Sequence, residues 1–390
     1  MGSVIAVPGP GANVSRLRKE RGWGQARLAA AAGVSTSQLG KIERGERTLT
    51  QGVAAALARA MNLSLEEVLG TTAVPLDAAA SVKALNSAVR RFDLPHEPEM
   101  SGEEVRAALD AMGRTRSSAD LDKVLTDLPA LVCGAQNHAH AVGTPEAWAW
   151  VVEAYSSVYW LAARHRWMTL ADLAVTKQKL AAQQSDPVTA ALAARDEAGI
   201  YLNHGEFEDG LAVVDRAIVE AEGNATGRGR TYALGILHLR GLTLAGRLQD
   251  KRTADQHIGR AWSVADDFSE DVERCGIQFG PENTAVHVIA TSGDLRRHGD
   301  AISTMEDLMR DGVSLPATRT SPLHMNTARS RLALGDRDGA LEDLEMAWVL
   351  APQMAKVHPT SQEVLRVLTS AHKRSNPRLV KLAKRAHIQF

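Results

Sequence analysis

Gln25–Gly45 reads QARLAAAAGVSTSQLGKIERG, two short helical patterns joined by a tight turn. Leu28 and Ala29 fall on one face of the first pattern, which runs from about Gln25 to Ala32. Gly33 can take the left-handed conformation that ends a helix and turns the chain. Ser35 follows as an N-cap, because its hydroxyl accepts from free backbone N–H groups in the next turn. Leu39 and Ile42, three apart, form the inner face of a second helix over about Thr36 to Arg44, and Gly45 ends it.

The flanks extend the same pattern. A helix starting near Asn13 or Ser15 holds Leu17 inward and stops at Gly22. A fourth covers about Thr50 to Met61, and a short fifth, capped by Ser64, covers Leu65 to Leu69. Gln at the head of the second helix, Leu-Ala three residues on, Gly-Val-Ser at the turn and Ile-Glu-Arg-Gly after the third helix stand in one register. From Asn13 to about Gly70 the chain therefore resembles the lambda-repressor-like helix-turn-helix of the XRE family. The resemblance implies that Thr36, Ser37 and Gln38, with Lys41 one turn later, read base edges. The chemistry suits that role: Gln pairs with adenine, Lys donates to guanine, and Ser or Thr pairs with several bases. It also implies phosphate contacts at Gln25, at the start of the second helix, and at Arg44, Arg47 and Thr48. An internal ion pair between Arg18 and Glu43 is implied by the same likeness.

Composition agrees. Leu and Ala are abundant and aromatic residues make up 4%, which favours an all-α protein. At 390 residues the chain exceeds one usual core. Its net charge is -1, yet residues 1–50 carry eight Lys or Arg against three Glu, so a polyanion partner is expected at that end. Cys133 and Cys275 lack metal-like spacing and read as small core residues in a reducing compartment. No signal-peptide pattern and no membrane-length apolar run appear, so a cytoplasmic protein is expected. Residues 1–12 read as a disordered tail, 13–70 as the DNA-binding domain, 71–130 as a helical connector and 131–390 as a helical repeat domain.

In the connector, the residues from Asp77 to Phe92 are amphipathic, and DLPHEPE at 93–99 breaks the helix with two prolines. Ser101 with Glu104 forms a capping box opening a helix to about Met112. The spacing predicts a loop over 113–118, then a helix ending at Leu128 before Pro129.

Beyond Pro145, long amphipathic helices alternate with short turns. Residues 328–352 place Ala328, Gly335, Ala340, Ala347 and Pro352 where a tetratricopeptide repeat has its small residues, turn and closing proline; 197–222 repeat the pattern. Five or six helix pairs in an α-solenoid are expected. FGPENTAVH, 279–287, resembles a phrase of actinobacterial XRE regulators with tetratricopeptide-like C-terminal halves, which implies that Asn283 and His287 face inward. Polar residues on the first helix of each pair, Asn203, Arg240, Asn283, His287 and Asn326, are the candidates for an effector groove, holding a peptide or small molecule. Residues 373–390 form a basic, helix-capped terminus opening at Asn376-Pro377.

No phosphate loop, metalloprotease motif or nucleophile elbow occurs, so neither an enzyme nor a cofactor is expected. The expected partners are double-stranded DNA, a second copy of the chain and an effector, with no membrane. The rival reading is a protein-interaction scaffold with a vestigial helix-turn-helix.

Overall fold

The computed structural model describes residues 9–70, 78–372 and 376–386. It is all-α: a helix-turn-helix domain followed by a helical solenoid, with one short β-hairpin. The N-terminal domain holds α1 (Pro10–Glu20), α2 (Gln25–Ala31), α3 (Thr36–Glu43), α4 (Gln51–Met61) and α5 (Leu65–Leu69). Val14, Leu28, Leu39, Ile42 and Leu57 close its core, all at most 1% exposed. Ser64 and Glu67 form a reciprocal capping box on α5. Helix α1 starts at Pro10, earlier than the sequence pattern predicts, so residues 9–12 are ordered and only 1–8 of the expected tail lie outside the described residues. Proline suits a first helical turn, where its missing N–H goes unused. Gly11 is required there: a Cβ would sit 2.1 Å from the carbonyl oxygen of Ile42, so α1 touches the backbone of α3.

The connector consists of α6 (Ala79–Arg90), α7 (Gly102–Ser117) and α8 (Leu121–Val142). Its capping box is formed, with Glu104 Oε2 accepting from the Ser101 N–H at 2.7 Å. Two expectations fail. The predicted loop at 113–118 is largely helix, because Arg116 on the last turn of α7 is buried and donates to Ser157 at 2.9 Å. Helix α8 runs through Pro129 and past the 130/131 boundary. Leu128 and Leu131 are buried on either side of that proline, and this packing holds the helix across the missing hydrogen bond.

Five helix pairs follow: α9 (Pro145–His165) with α10 (Met168–Ala182), α11 (Pro187–His204) with α12 (Phe207–Asn224), α13 (Gly227–Leu248) with α14 (Lys251–Ala265), α15 (Pro281–Asp294) with α16 (His298–Asp311), and α17 (Ala317–Ala333) with α18 (Arg337–Leu350). The pairs approach through small residues; Ala198, Ala254, Ala261, Ala328, Ala340 and Ala347 are fully buried. The chain ends in α19 (Pro352–Val357), α20 (Pro359–His372) and α21 (Pro377–Arg385), with Asn376 capping α21 as expected. Between α14 and α15 lies an antiparallel hairpin, β1 (Val272–Arg274) and β2 (Ile277–Phe279). Its two-residue turn, Cys275-Gly276, has φ of 53° and 69°, and the partly buried Cys275 side chain packs against the core from this turn. Phe279 from β2 is fully buried against Gly235.

The first helices form a row in which α9, α11, α13, α15 and α17 each touch the next. The row closes on itself, because α7 and α19 each contact both α9 and α17. The N-terminal domain leans on this ring. Helix α5 contacts α11 and α4 contacts α13, Arg59 donates to the Gly205 carbonyl at 3.3 Å, and Leu49 N–H donates to Glu363 at 3.4 Å.

Three partly enclosed imidazoles follow from this packing. Burial lowers the pKa of His165 to about 4, of His238 to about 4 and of His358 to about 3. In the unfolded chain each protonates near pH 6.5, so the unfolded state binds more protons below that value. Stability is therefore expected to fall as pH drops from about 6.5 to about 4, by at most about 1.4 kcal/mol per pH unit for each imidazole. Urea midpoints at pH 7, 6 and 5 check this; a flat profile would contradict it.

Candidate nucleic-acid interface

Helix α3 is set by its cap: Ser35 Oγ accepts from Gln38 N–H at 3.1 Å. Thr36, Ser37 and Lys41 are exposed, while Gln38 is turned in and only 9% exposed. Glu43 is kept from repelling a phosphate chain by Arg18, whose Nε and Nη2 donate to its two oxygens at 2.7 and 2.8 Å. Arg18 Nη1 also donates to the Trp23 carbonyl at 2.7 Å. Burial raises the pKa of the Glu43 carboxyl, but hydrogen bonds from Arg18 and Gln25 outweigh it and hold the group below its usual value. The Gln25 amide donates to Glu43 at 2.8 Å, so this side chain braces the pair. The second N–H of the Gln25 amide and the backbone N–H groups at the start of α2 remain to meet a phosphate.

Arg44 lies in the loop after α3 and is held by Glu46 through two hydrogen bonds of 2.7 and 2.8 Å. Both side chains are about half exposed, so water or a phosphate competes easily for the guanidinium. Arg47 is exposed and Thr48 half-buried. Gln38, Lys41, Arg47 and Thr48 share one wall of a cleft of about 990 Å³. Its other wall belongs to the solenoid and is basic as well, carrying Arg247, Arg296, Arg329 and Arg337. Arg296 and Arg337 belong to no motif, and only the fold brings them opposite α3. Arg27 adds another exposed cation, with its guanidinium 4.3 Å from the centre of the Trp23 ring.

The effector candidates separate into two sets. Arg240 on α13 donates to the Arg195 carbonyl at 3.1 Å. Asn203 on α11 donates to the Tyr159 hydroxyl at 3.3 Å and to its own-helix Gly199 carbonyl at 2.7 Å. His287 on α15 lies 3.2 Å from the Thr243 hydroxyl, and burial with Arg319, Arg195 and Arg240 nearby holds it neutral. Tyr159 joins the first two, and the charges of Arg195 and Arg240 act on His287. Asn283 is committed to the Gln278 carbonyl at 2.7 Å, although its own carbonyl oxygen has no partner among the described residues. Asn326 donates to its own-helix Pro322 carbonyl at 2.9 Å. Both asparagines hold local backbone.

Among the described residues no group of side chains is arranged to hold a metal ion, and no helix is long and apolar enough to cross a membrane. A helix-turn-helix family model (HTH_3) matches residues 14–68. No curated protein sequence matches the chain. Among solved structures it is similar to the PrgX/iCF10 complex, at 10% identity over 94% of this chain and 98% of that one, with a TM-score of 0.24. It is similar to the apo competence regulator ComR of Streptococcus vestibularis, at 12% identity over 67% and 93%, TM-score 0.23. A bacterial peptide pheromone/receptor complex aligns at 10% identity over 87% and 97%, TM-score 0.25.

Proposed function

We propose that this protein is a sequence-specific, DNA-binding transcriptional regulator of XRE type whose tetratricopeptide-like ring governs the DNA-reading domain. The observation that carries this reading is the arrangement of α3: three exposed hydrogen-bonding side chains follow the turn, while the one acid behind them is neutralised by Arg18. Such a face positions itself on phosphates and reads bases. Two copies of the chain would present two such faces to half-sites about one helical turn apart.

Lys41 and Arg47 line the cleft against the solenoid, and that cleft, with a volume of about 990 Å³, is too small to admit a duplex. Our reading is that the domain swings off the ring to engage a duplex. An effector held by the ring shifts that balance to the extent that it prefers one arrangement.

Selection of genomic fragments by the wild type, followed by replacement of Thr36, Ser37 and Lys41 with Ala, tests the site. Removing one base-reading side chain is expected to cost about 1–3 kcal/mol of discrimination. Unchanged sequence preference in the triple variant would move the reading face elsewhere. Failure of the wild type to select any fragment at moderate salt favours a protein-interaction scaffold.

A further inference from the structure

The reading domain meets the ring around the cleft of about 990 Å³, and direct contacts hold its two walls in place. Helix α4 touches α13 so closely that a Cβ on Gly52 would lie 2.6 Å from the Arg247 carbonyl oxygen. The Leu49 N–H donates to Glu363 of α20 at 3.4 Å. Both walls carry the same sign of charge. Lys41 and Arg47 stand on the reading domain, Arg296 and Arg337 on the ring. All four are exposed, and none makes an ion pair or a side-chain hydrogen bond among the described residues.

The acids on these walls are already paired. Glu46 binds Arg44 at 2.7 Å. Asp294 is shared by Arg247 and Arg329, which also line the cleft, at 3.2 and 2.7 Å. Two arginines on one nearly buried carboxylate leave a positive charge in surplus. Like charges held across a confined space repel, and protein walls screen them less than open water does. Every contact that closes the cleft works against that repulsion. A ligand of opposite sign between the walls removes it, and only the closed arrangement brings both walls to the ligand. The volume suits a small molecule, since such sites span about 300–1,000 Å³. Val34 and Val53 on one side and Leu248 and Leu332 on the other are half-buried apolar side chains available to its uncharged body.

We propose that this cleft binds a small ligand bearing several phosphate groups, shared between Lys41 and Arg47 on one wall and Arg296 and Arg337 on the other. Guanidinium forks pair with phosphate oxygens through two hydrogen bonds, and an ammonium serves as a point charge. The ligand ties the reading domain to the ring and covers Lys41, so it lowers DNA affinity, and DNA by reciprocity expels the ligand. The proposal rests on our reading of α3 as the DNA-reading face.

The test uses the full chain. Titration calorimetry with ATP free of divalent metal, and separately with inorganic tripolyphosphate, is run without DNA against sodium chloride of equal ionic strength. One saturable site per chain is expected, with Tm raised by several degrees at about a hundredfold excess over Kd. Arg296→Gln combined with Arg337→Gln should weaken the better probe at least about tenfold while keeping the wild-type Tm in chloride and the wild-type DNA affinity without probe. Gln249 after α13 takes the same left-handed conformation as Arg296, with φ of 66° against 62°, so the first change adds no backbone strain. Arg337→Glu alone, which suits the first turn of α18, provides a second variant with the same expected loss. In the wild type a saturating probe is expected to weaken a selected duplex about tenfold, and in the double variant far less. The proposal is overturned if neither probe binds beyond chloride. It is overturned equally if the probe displaces DNA from wild type and double variant alike, because phosphate then acts at α3 alone. Probe binding that needs Arg296 and Arg337 in a protein that selects no DNA fragment supports the site and overturns only the reading of α3.

Discussion

Glu43→Ala is expected to unfold the N-terminal domain while leaving the ring folded. Arg18 and Glu43 are both nearly inaccessible, with side chains 9% and 5% exposed. Two hydrogen bonds join them, and Gln25 adds a third to the same carboxylate. Removing the acid leaves a buried guanidinium without its counter-charge and strands the Gln25 amide. Breaking one side of a buried pair costs about 3–5 kcal/mol, which rivals the whole stability of a domain this small. Glu43→Gln keeps the shape and some of the hydrogen bonding, so its loss should be smaller. Amide exchange read separately over 10–69 and over the ring checks this. Equal protection in wild type and Glu43→Ala would show that the pair contributes little. The pair also carries a pH signature. Its folded carboxyl titrates below the unfolded one, so its contribution is present above the unfolded pKa of about 4.3 and is lost as pH falls through the folded value.

Gly52→Val is expected to raise DNA affinity. A Cβ at this position would lie 2.6 Å from the Arg247 carbonyl oxygen, and the nearest atoms all belong to the Arg247 backbone on α13. The added bulk therefore presses against the ring and not against the core of the reading domain. Overpacking of this kind costs about 1–3 kcal/mol. Here the strain is relieved by opening the cleft, which releases Lys41 and Arg47. If the docked arrangement dominates in the free protein, the same energy appears as a gain of about 5- to 150-fold in duplex affinity. A fragment selected by the wild type, titrated at fixed salt, measures it. Unchanged or weaker binding by a folded variant would mean that the docked domain already meets DNA.

The N-terminal domain was legible because its structure is local. Gly33, Ser35 and Gly45 set their turns through backbone freedom and one hydroxyl, and Leu28, Leu39 and Ile42 repeat at helical spacing. The pairing of Arg18 with Glu43 came from family likeness, since nothing in a spacing of 25 residues reveals it. The connector was read less well for a physical reason. Gly113, the Ser117-Ser118 pair and Pro129 look like helix enders to local propensity, yet Arg116 between them is held by Ser157 across the fold and Pro129 by its buried neighbours. At Gln25 the sequence shows the position at the head of α2 but not the hydrogen bond that its amide gives to Glu43. The groove candidates show the limit most plainly. Asn283 and Asn326 looked like ligand hands and hold backbone, whereas Arg116 of α7 and Arg319 of α17 line one narrow pocket without any motif to announce it.

The contact of α7 and α19 with both α9 and α17 sets how this chain is assembled in time. Asp122 N–H donates to Gln353 at 3.1 Å, joining residues 231 apart, and Ala119 shares a buried cluster with Ala351 and Met354. An open stack of repeats gains stability pair by pair and tolerates a missing end. A closed one cannot finish until its last segment has been made, so the part of α9 that meets α19 waits while nearly two hundred further residues leave the ribosome. Loop closure over that length is entropically slow, and the exposed surface is a natural client for a chaperone during synthesis.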